Sequence, residues 1–327
     1  MRTRIAAALG IVYVVWGSTY LAIAVADRTL PPLLMLAVRF GLAGAALYAW
    51  SAWRGDVAAA RPGRREWTAA AIVGGLLLFV DTGGVAWAEQ RVASGLTALL
   101  VATVPLFTAL LDRIVFGVRL SLGVLAGIAA GLLGVALLVG PSAGVDPVGA
   151  AVILGAALAW AAGSAYARVA PLPEPPFLSA GMQMLCAAAL LAVAGAGLGE
   201  LGRVHPQAIS PSSLAAFGYL VVFGSIVAFT AYGWLLRSPA PSVLVSTYAY
   251  VNPVVAVLLG WLLAGEAIGG RELAAGAVIL ASVGMLVLAR SGRGRSEAEP
   301  AEPRVGGEGD EARSQLPPLA DLRHTAS

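Results

Sequence analysis

Ten times between Ile5 and Arg290 the sequence runs for about twenty predominantly apolar residues and then breaks into a short polar or proline-rich stretch. A run of that length, coiled as an α-helix, matches the hydrocarbon thickness of a bilayer. Inside a bilayer every backbone N–H and C=O must find its partner within the protein, which leaves helices and closed barrels as the spanning structures. The runs begin near Ile5, Leu33, Trp67, Ala93, Leu122, Pro147, Phe177, Ser213, Ser242 and Leu273. They predict an all-α integral membrane protein of ten transmembrane helices. Composition agrees: 59% of residues are hydrophobic and 12% charged, against about a quarter charged in soluble domains, and the mean hydropathy is +0.83. The first run follows a short basic start but is long enough to span, so it predicts a first transmembrane helix rather than a cleaved signal.

Every basic residue is arginine, and their distribution predicts the orientation. With the N-terminus inside, the inner segments hold Arg2, Arg4, Arg54, Arg61, Arg64, Arg65, Arg113, Arg119, Arg168, Arg237, Arg290, Arg293 and Arg295, and the outer loops hold Arg28, Arg91, Arg203 and Arg271. Such an excess on one side places both termini in the cytoplasm of a multi-pass protein of the cytoplasmic membrane. Beyond Arg290 the sequence turns polar and rich in Gly, Pro and Glu, so residues 291–327 are expected to be a disordered cytoplasmic tail.

The chain also repeats itself. WAEQRVASGLTALLVATVPLFTALLD, Trp87 to Asp112, returns in altered form as SPAPSVLVSTYAYVNPVVAVLLGWLLA, Ser238 to Ala264. Aligned on Pro105 and Pro253, the copies place Ser94 opposite Ser242 and Gly117 opposite Gly265. Trp16 and Trp160 stand at like places in the first and sixth runs, and Arg39 falls opposite Gln183. The repeating unit is thus five spans, residues 1–144 and 145–290. Because five is odd, the second copy enters from the opposite face and the two form an inverted repeat. Each proline leaves a backbone carbonyl one turn earlier without its donor, which at membrane depth is tolerated where it lines a wet cavity. Pro105 and Pro253 are therefore expected to break their helices near the midplane, beside a transport pathway.

The motifs WGSTYLAIAVADRTLPPLLMLAVRFGLAGA and WAEQRVASGLTALLVATVPLFTALLD, with the glycine-rich ends of spans five and ten, resemble the EamA family of the drug/metabolite transporter superfamily over about residues 5 to 290. The resemblance implies spans three, four, eight and nine around a central cavity, alternating access, and export of amino acids, other small metabolites or toxic compounds. One departure stands out: Trp160, Ala161 and Ala162 replace the Trp16, Gly17 and Ser18 of the first repeat, so Ser18 has no counterpart.

A charge near the bilayer centre costs about 2.5–3.5 kcal/mol on insertion scales, so a retained one is a functional candidate. Arg39 in span two and Asp81 in span three stand out. At about 1.5 Å per residue they lie about 9 and 12 Å below the outer surface, close enough in depth to pair. Such a pair either joins two helices or serves binding, with Arg39 suited to a substrate carboxylate. Glu89, beside Gln90 at the outer mouth of span three, is a candidate for proton coupling along with Asp81. Asn252, with Tyr248 and Thr247 on its helical face, is the best midplane substrate contact. Trp16, Ser18, Trp160 and Gln183 complete the expected substrate-binding set. Asp112 and Arg113 read as topology anchors. Gly123, Gly127 and Gly131 form a ridge for close helix approach, within the subunit or in a homodimer.

Enzyme chemistry fails on inventory. His205 and His324 lie outside the expected spans, there is no HExxH, and no Walker loop exists for ATP hydrolysis. Cys186 is the sole cysteine, so neither a disulfide nor a thiolate metal site can form. The expected partners are a small-molecule substrate and the lipid bilayer, with no cofactor, metal or nucleic acid. A membrane-embedded lipid-processing enzyme, receptor or channel would also show many spans, but would not require an inverted duplication with matched prolines.

Overall fold

The computed structural model describes residues 1–92, 97, 100–139, 146–264 and 269–296, and among these there is no strand. We number the helices α1 (Arg2–Ala26), α2 (Pro32–Trp53), α3 (Arg64–Ala88), α4 (Val104–Phe116), α5 (Leu122–Val139), α6 (Pro147–Ala167), α7 (Pro176–Gly197), α8 (Pro211–Arg237), α9 (Tyr248–Ala264) and α10 (Gly270–Ser296). Six of them, α1 to α3 and α6 to α8, are long and apolar enough to cross a membrane. Two more, Leu122–Leu137 and Leu273–Leu286, are shorter apolar segments. The expected boundary at residue 144 and the tail from residue 297 onward lie outside the described residues, as do Ser94, Gly265 and His324. Up to that point α10 continues to Ser296, past the expected end at Arg290.

Local chemistry sets the helix ends. Proline occupies the first turn of α2, α6, α7 and α8, where its missing N–H costs nothing. Asp146 caps α6 by accepting from Gly149 N at 3.1 Å, and Ser210 caps α8 by accepting from Ser213 N at 3.1 Å. The start of α2 is capped at long range: Glu200, from the turn after α7, accepts from Leu33 N at 3.3 Å and Leu34 N at 2.8 Å. Gly117 ends α4 at φ +66°, a conformation that glycine adopts without strain.

The two proline breaks differ from each other. Pro105 opens α4, after a turn at Ala102 and Thr103, as a break at the proline requires. Pro253 instead sits inside α9, and the chain turns earlier, at Ser246 and Thr247. The expectation of a break at Pro253 is corrected by side-chain chemistry. Ser246 Oγ donates to Val243 O at 3.0 Å and Thr247 Oγ1 to Leu244 O at 2.7 Å, drawing on carbonyls that would otherwise extend the helix.

The most closely packed pair is α2 with α7. At their crossing a Cβ on Gly44 would lie 3.0 Å from Gly181 O, and one on Gly181 would lie 3.1 Å from Gly44 O, so backbone meets backbone. A Cβ on Gly74 of α3 would collide with the Gln183 carbonyl. The glycine ridge of α5 packs within the subunit, Gly127 against Leu286 of α10 and Gly131 against the Tyr250 ring of α9.

Candidate functional site

Two spans carry the same irregularity. Gly75–Gly83 of α3 and Leu220–Phe229 of α8 are π-helical, a geometry that is rare and concentrated at functional sites. The wider turn shifts the facing of every later side chain relative to an ordinary helix, and it presents polar groups to the bundle interior. From α3 come Asp81 and Thr82. In α8, Gly224 O accepts the Trp16 indole N–H at 3.2 Å and Ser225 Oγ accepts from Arg39 Nε at 2.8 Å. A side chain at 224 is impossible without moving Arg39, whose Nη2 lies 2.7 Å from where the Cβ would be. Arg39 is 5% exposed, and its two Nη nitrogens have no acceptor among the described residues.

Next to this polar corner stands an aromatic cluster. The Trp16 ring centroid lies 5.4 Å from Trp160 and 4.9 Å from Tyr248, both edge-on, and 5.1 Å from Tyr232. Hydrogen bonds fix it: Trp160 Nε1 donates to Tyr232 Oη at 2.8 Å, Tyr232 Oη meets Ser164 Oγ at 2.6 Å, and Tyr13 Oη meets Thr247 Oγ1 at 2.5 Å. Asn252, oriented by the acceptors around it, donates to the carbonyls of Tyr13 and Tyr248 at 3.3 and 3.1 Å.

These groups border one cavity of about 430 Å³. Trp16, Trp160, Tyr248 and Asn252 line its depth, Arg39, Asp81, Thr82 and Thr97 its polar wall, and Asp27 and Glu89 its mouth. Asp27, Ala86 and Glu89 also line a second space of about 450 Å³, with Arg28, Arg203 and His205, so the two spaces share a neck. Poor hydration in that neck pushes the Asp27 carboxyl up to about 6, helped by Glu200 and opposed by Arg39. The same cause, with Asp27 adding to it, pushes Glu89 up to about 7. Toward the other end of the bundle the cavity is shut. There Arg168 Nη1 bridges Asp112 Oδ1 and Ser242 Oγ, each at 2.7 Å, with its guanidinium 4.6 Å from the Phe116 ring centroid. Arg237 Nη1 donates to Pro173 O at 2.8 Å at the same end.

Of the expected site residues, the structure gathers Arg39, Asp81, Glu89, Trp16, Trp160, Tyr248 and Asn252 around the cavity. It places two elsewhere. Ser18 donates to Val15 O and meets Tyr219 Oη, and Gln183 donates to Ser179 Oγ at 3.0 Å while its backbone packs on Gly74. The expected Arg39–Asp81 ion pair is corrected: among the described residues the ion pairs are Arg54–Asp56 and Arg168–Asp112. Arg39 is turned onto Ser225 of α8, and the π-helical stretch resets the facing of Asp81. Asp112 is likewise more than an anchor, being 3% exposed and paired. Helices α1, α2 and α6 share the lining with the four spans the family resemblance implied. Sequence reasoning missed Asp27, Thr97, Tyr232 and Ser225. For Asp27 the signal is a carboxylate in VADRTLPP, at the very end of the first apolar run.

A helical membrane bundle with a cavity open at one end and latched at the other has the build of a membrane transporter. The chain belongs to the EamA-like transporter family, which it matches over residues 4–140 and again over 147–288. It is 42% identical over 279 residues to the "Uncharacterized inner membrane transporter YedA" of Escherichia coli K12, covering 84% of this chain and 88% of that one. It is 27% identical over 289 residues to the "Probable amino-acid metabolite efflux pump" of Salmonella typhimurium LT2, covering 84% and 91%. One crystal structure shares the fold with a TM-score of 0.72 at 24% identity, covering 89% of this chain and 99% of that one.

Proposed function

We propose that this transporter is a secondary carrier that exports small metabolites, such as amino acids or toxic compounds, across the cytoplasmic membrane by alternating access. The observation that carries the reading is the asymmetry of the cavity, open at the Asp27–Glu89 neck and latched by Arg168 at the other end. A carrier needs two such ends that open in turn. Ten spans in two inverted repeats, residues 1–144 and 145–290, supply those ends, and the two family matches fall in the two repeats. The arginine distribution puts both termini in the cytoplasm, so the neck is the outer mouth and the latch the inner one.

The chemistry of the cavity favours flat or apolar solutes with a polar head. The aromatic cluster offers edges and faces to an apolar body. The Arg39 Nη groups suit a carboxylate, and Asp81 and Asn252 suit donors on the same solute. Proteoliposomes loaded with a panel of amino acids and aromatic acids test the proposal. Flux that saturates with concentration and accelerates with counter-substrate supports a carrier, and flux that rises linearly without saturation defeats it.

A further inference from the structure

The neck carries two carboxylates that no basic side chain neutralises directly. Asp27 and Glu89 come from the ends of α1 and α3, both border both spaces, and neither lies within ion-pair distance of a cation among the described residues. A solute moving between the outer space and the cavity passes between them.

Two independent features beneath the neck point to a bound ligand with acceptor atoms. The first is Arg39, 5% exposed, whose two Nη nitrogens face the cavity with no acceptor among the described residues. The second is Thr97, 1% exposed, which lines the same cavity with a hydroxyl that has no hydrogen-bond partner among the described residues. A buried hydroxyl without a partner is expensive unless something fills it, and a guanidinium facing a poorly hydrated cavity draws an anion. We propose that Asp27 and Glu89 are a proton-binding pair at the neck, and that their proton is loaded together with an anionic solute held by Arg39. This rests on the transporter reading above and adds to it the coupling partner.

The argument is electrostatic linkage. The titratable and charged groups facing the pair are Arg39 of α2, Glu200 after α7, Arg28 after α1, and Arg203 and His205 before α8, with Asp81 deeper on α3. With the cavity empty, the positive charge of Arg39 helps to hold Asp27 ionised. An anion that neutralises Arg39 removes that help, so Asp27 takes a proton more readily. By reciprocity a proton on Asp27 leaves Arg39 a better anion site, and each ligand strengthens the other. The loaded cavity then holds one negative solute and one added proton, a neutral pair, and shutting it away from water costs less than enclosing the anion alone. A cationic solute would reverse the sign, because it would compete with the proton for the same carboxylates.

The experiment uses the full chain in lipid nanodiscs. Infrared difference titration between about pH 5 and about pH 8 should resolve two carboxyl groups, at about 6 and about 7. Asp27→Asn should remove the lower step and Glu89→Gln the upper one. Arg39→Gln should move the Asp27 step up by about one pH unit. Benzoate, a minimal aromatic carboxylate, is the anion probe. Added in weak buffer at about pH 6.5, between the two steps, it should draw protons onto the parent protein, as read by a pH dye. That uptake should vanish in Asp27→Asn and Arg39→Gln and persist in Asp27→Glu. Variant titrations that superimpose on the parent's overturn the proton pair. Proton release, or no proton movement at saturating benzoate, overturns the joint loading. The titrations require no flux, so failure of the carrier reading in proteoliposomes is a separate result.

Discussion

At Arg39 one guanidinium nitrogen is fixed by Ser225 and the other two face the cavity, while Asp81 borders that cavity from the neighbouring α3 without pairing to it. Groups that share no partner act independently, so the cycle of Arg39→Gln, Asp81→Asn and the double variant should be additive. Folded amounts, measured without solute, should combine with a coupling below about 0.5 kcal/mol, and a larger coupling would restore the direct pair. Asp112 behaves differently, because its carboxylate is 4% exposed against an arginine that keeps 31%. Asp112→Ala strands Arg168, and the expected loss is about 2 kcal/mol, below the range for a fully buried pair because water still reaches the guanidinium. Its functional signature is at the latch. In a Cys186→Ala background, Ser246→Cys lines the sealed end, and a polar maleimide should label it faster once Asp112 is replaced. Unchanged labelling would mean that the ion pair does not keep that end shut. The midspan residues of this site were legible in the sequence because polar and aromatic groups are costly in a bilayer and stand out there. Their partners were not, since pairing depends on which way each helix faces, and sequence spacing yields facing only for a regular helix.

Among the elements, α3 and α8 show why. Their π-helical stretches, Gly75–Gly83 and Leu220–Phe229, contain ordinary apolar residues and glycine, and nothing in GLLLFVDTG or LVVFGSIVAF announces a wider turn. The starts of the six long apolar helices were readable to within a few residues, because these are local chemistry. The contact of α3 with α7 is a tertiary demand that only the packed bundle reveals. A methyl group at Gly74 has no room against the Gln183 backbone, whereas one at Gly155 of α6 meets nothing within 4 Å. Gly74→Ala should therefore lower the thermal midpoint in detergent by an amount worth about 1–3 kcal/mol, while Gly155→Ala should match or slightly exceed the parent. Equal midpoints for the two would contradict the close approach of α3 and α7.

For the whole molecule, the proposed mechanism requires cytoplasmic termini and an inverted second repeat. Reporter fusions after Gly144, Gly199 and Ala289 are expected to read outside, outside and inside, and any other pattern defeats the inverted ten-span arrangement. The duplication was visible in the sequence from matched prolines and tryptophans, yet the copies are not equivalent in detail. Pro105 starts a helix and Pro253 sits within one, because Ser246 and Thr247 divert the second copy earlier. Where the copies share their most extensive contact, α2 of one and α7 of the other touch backbone to backbone at Gly44 and Gly181. Close backbone packing of that kind also holds separate membrane helices together. The gene should accordingly survive being cut in two. Residues 1–144 and 145–327 made from separate messages should find each other in the membrane and co-purify through a tag on either piece, and Gly44→Leu should abolish that assembly. The present single chain would then be the record of two five-helix proteins that paired before they were fused.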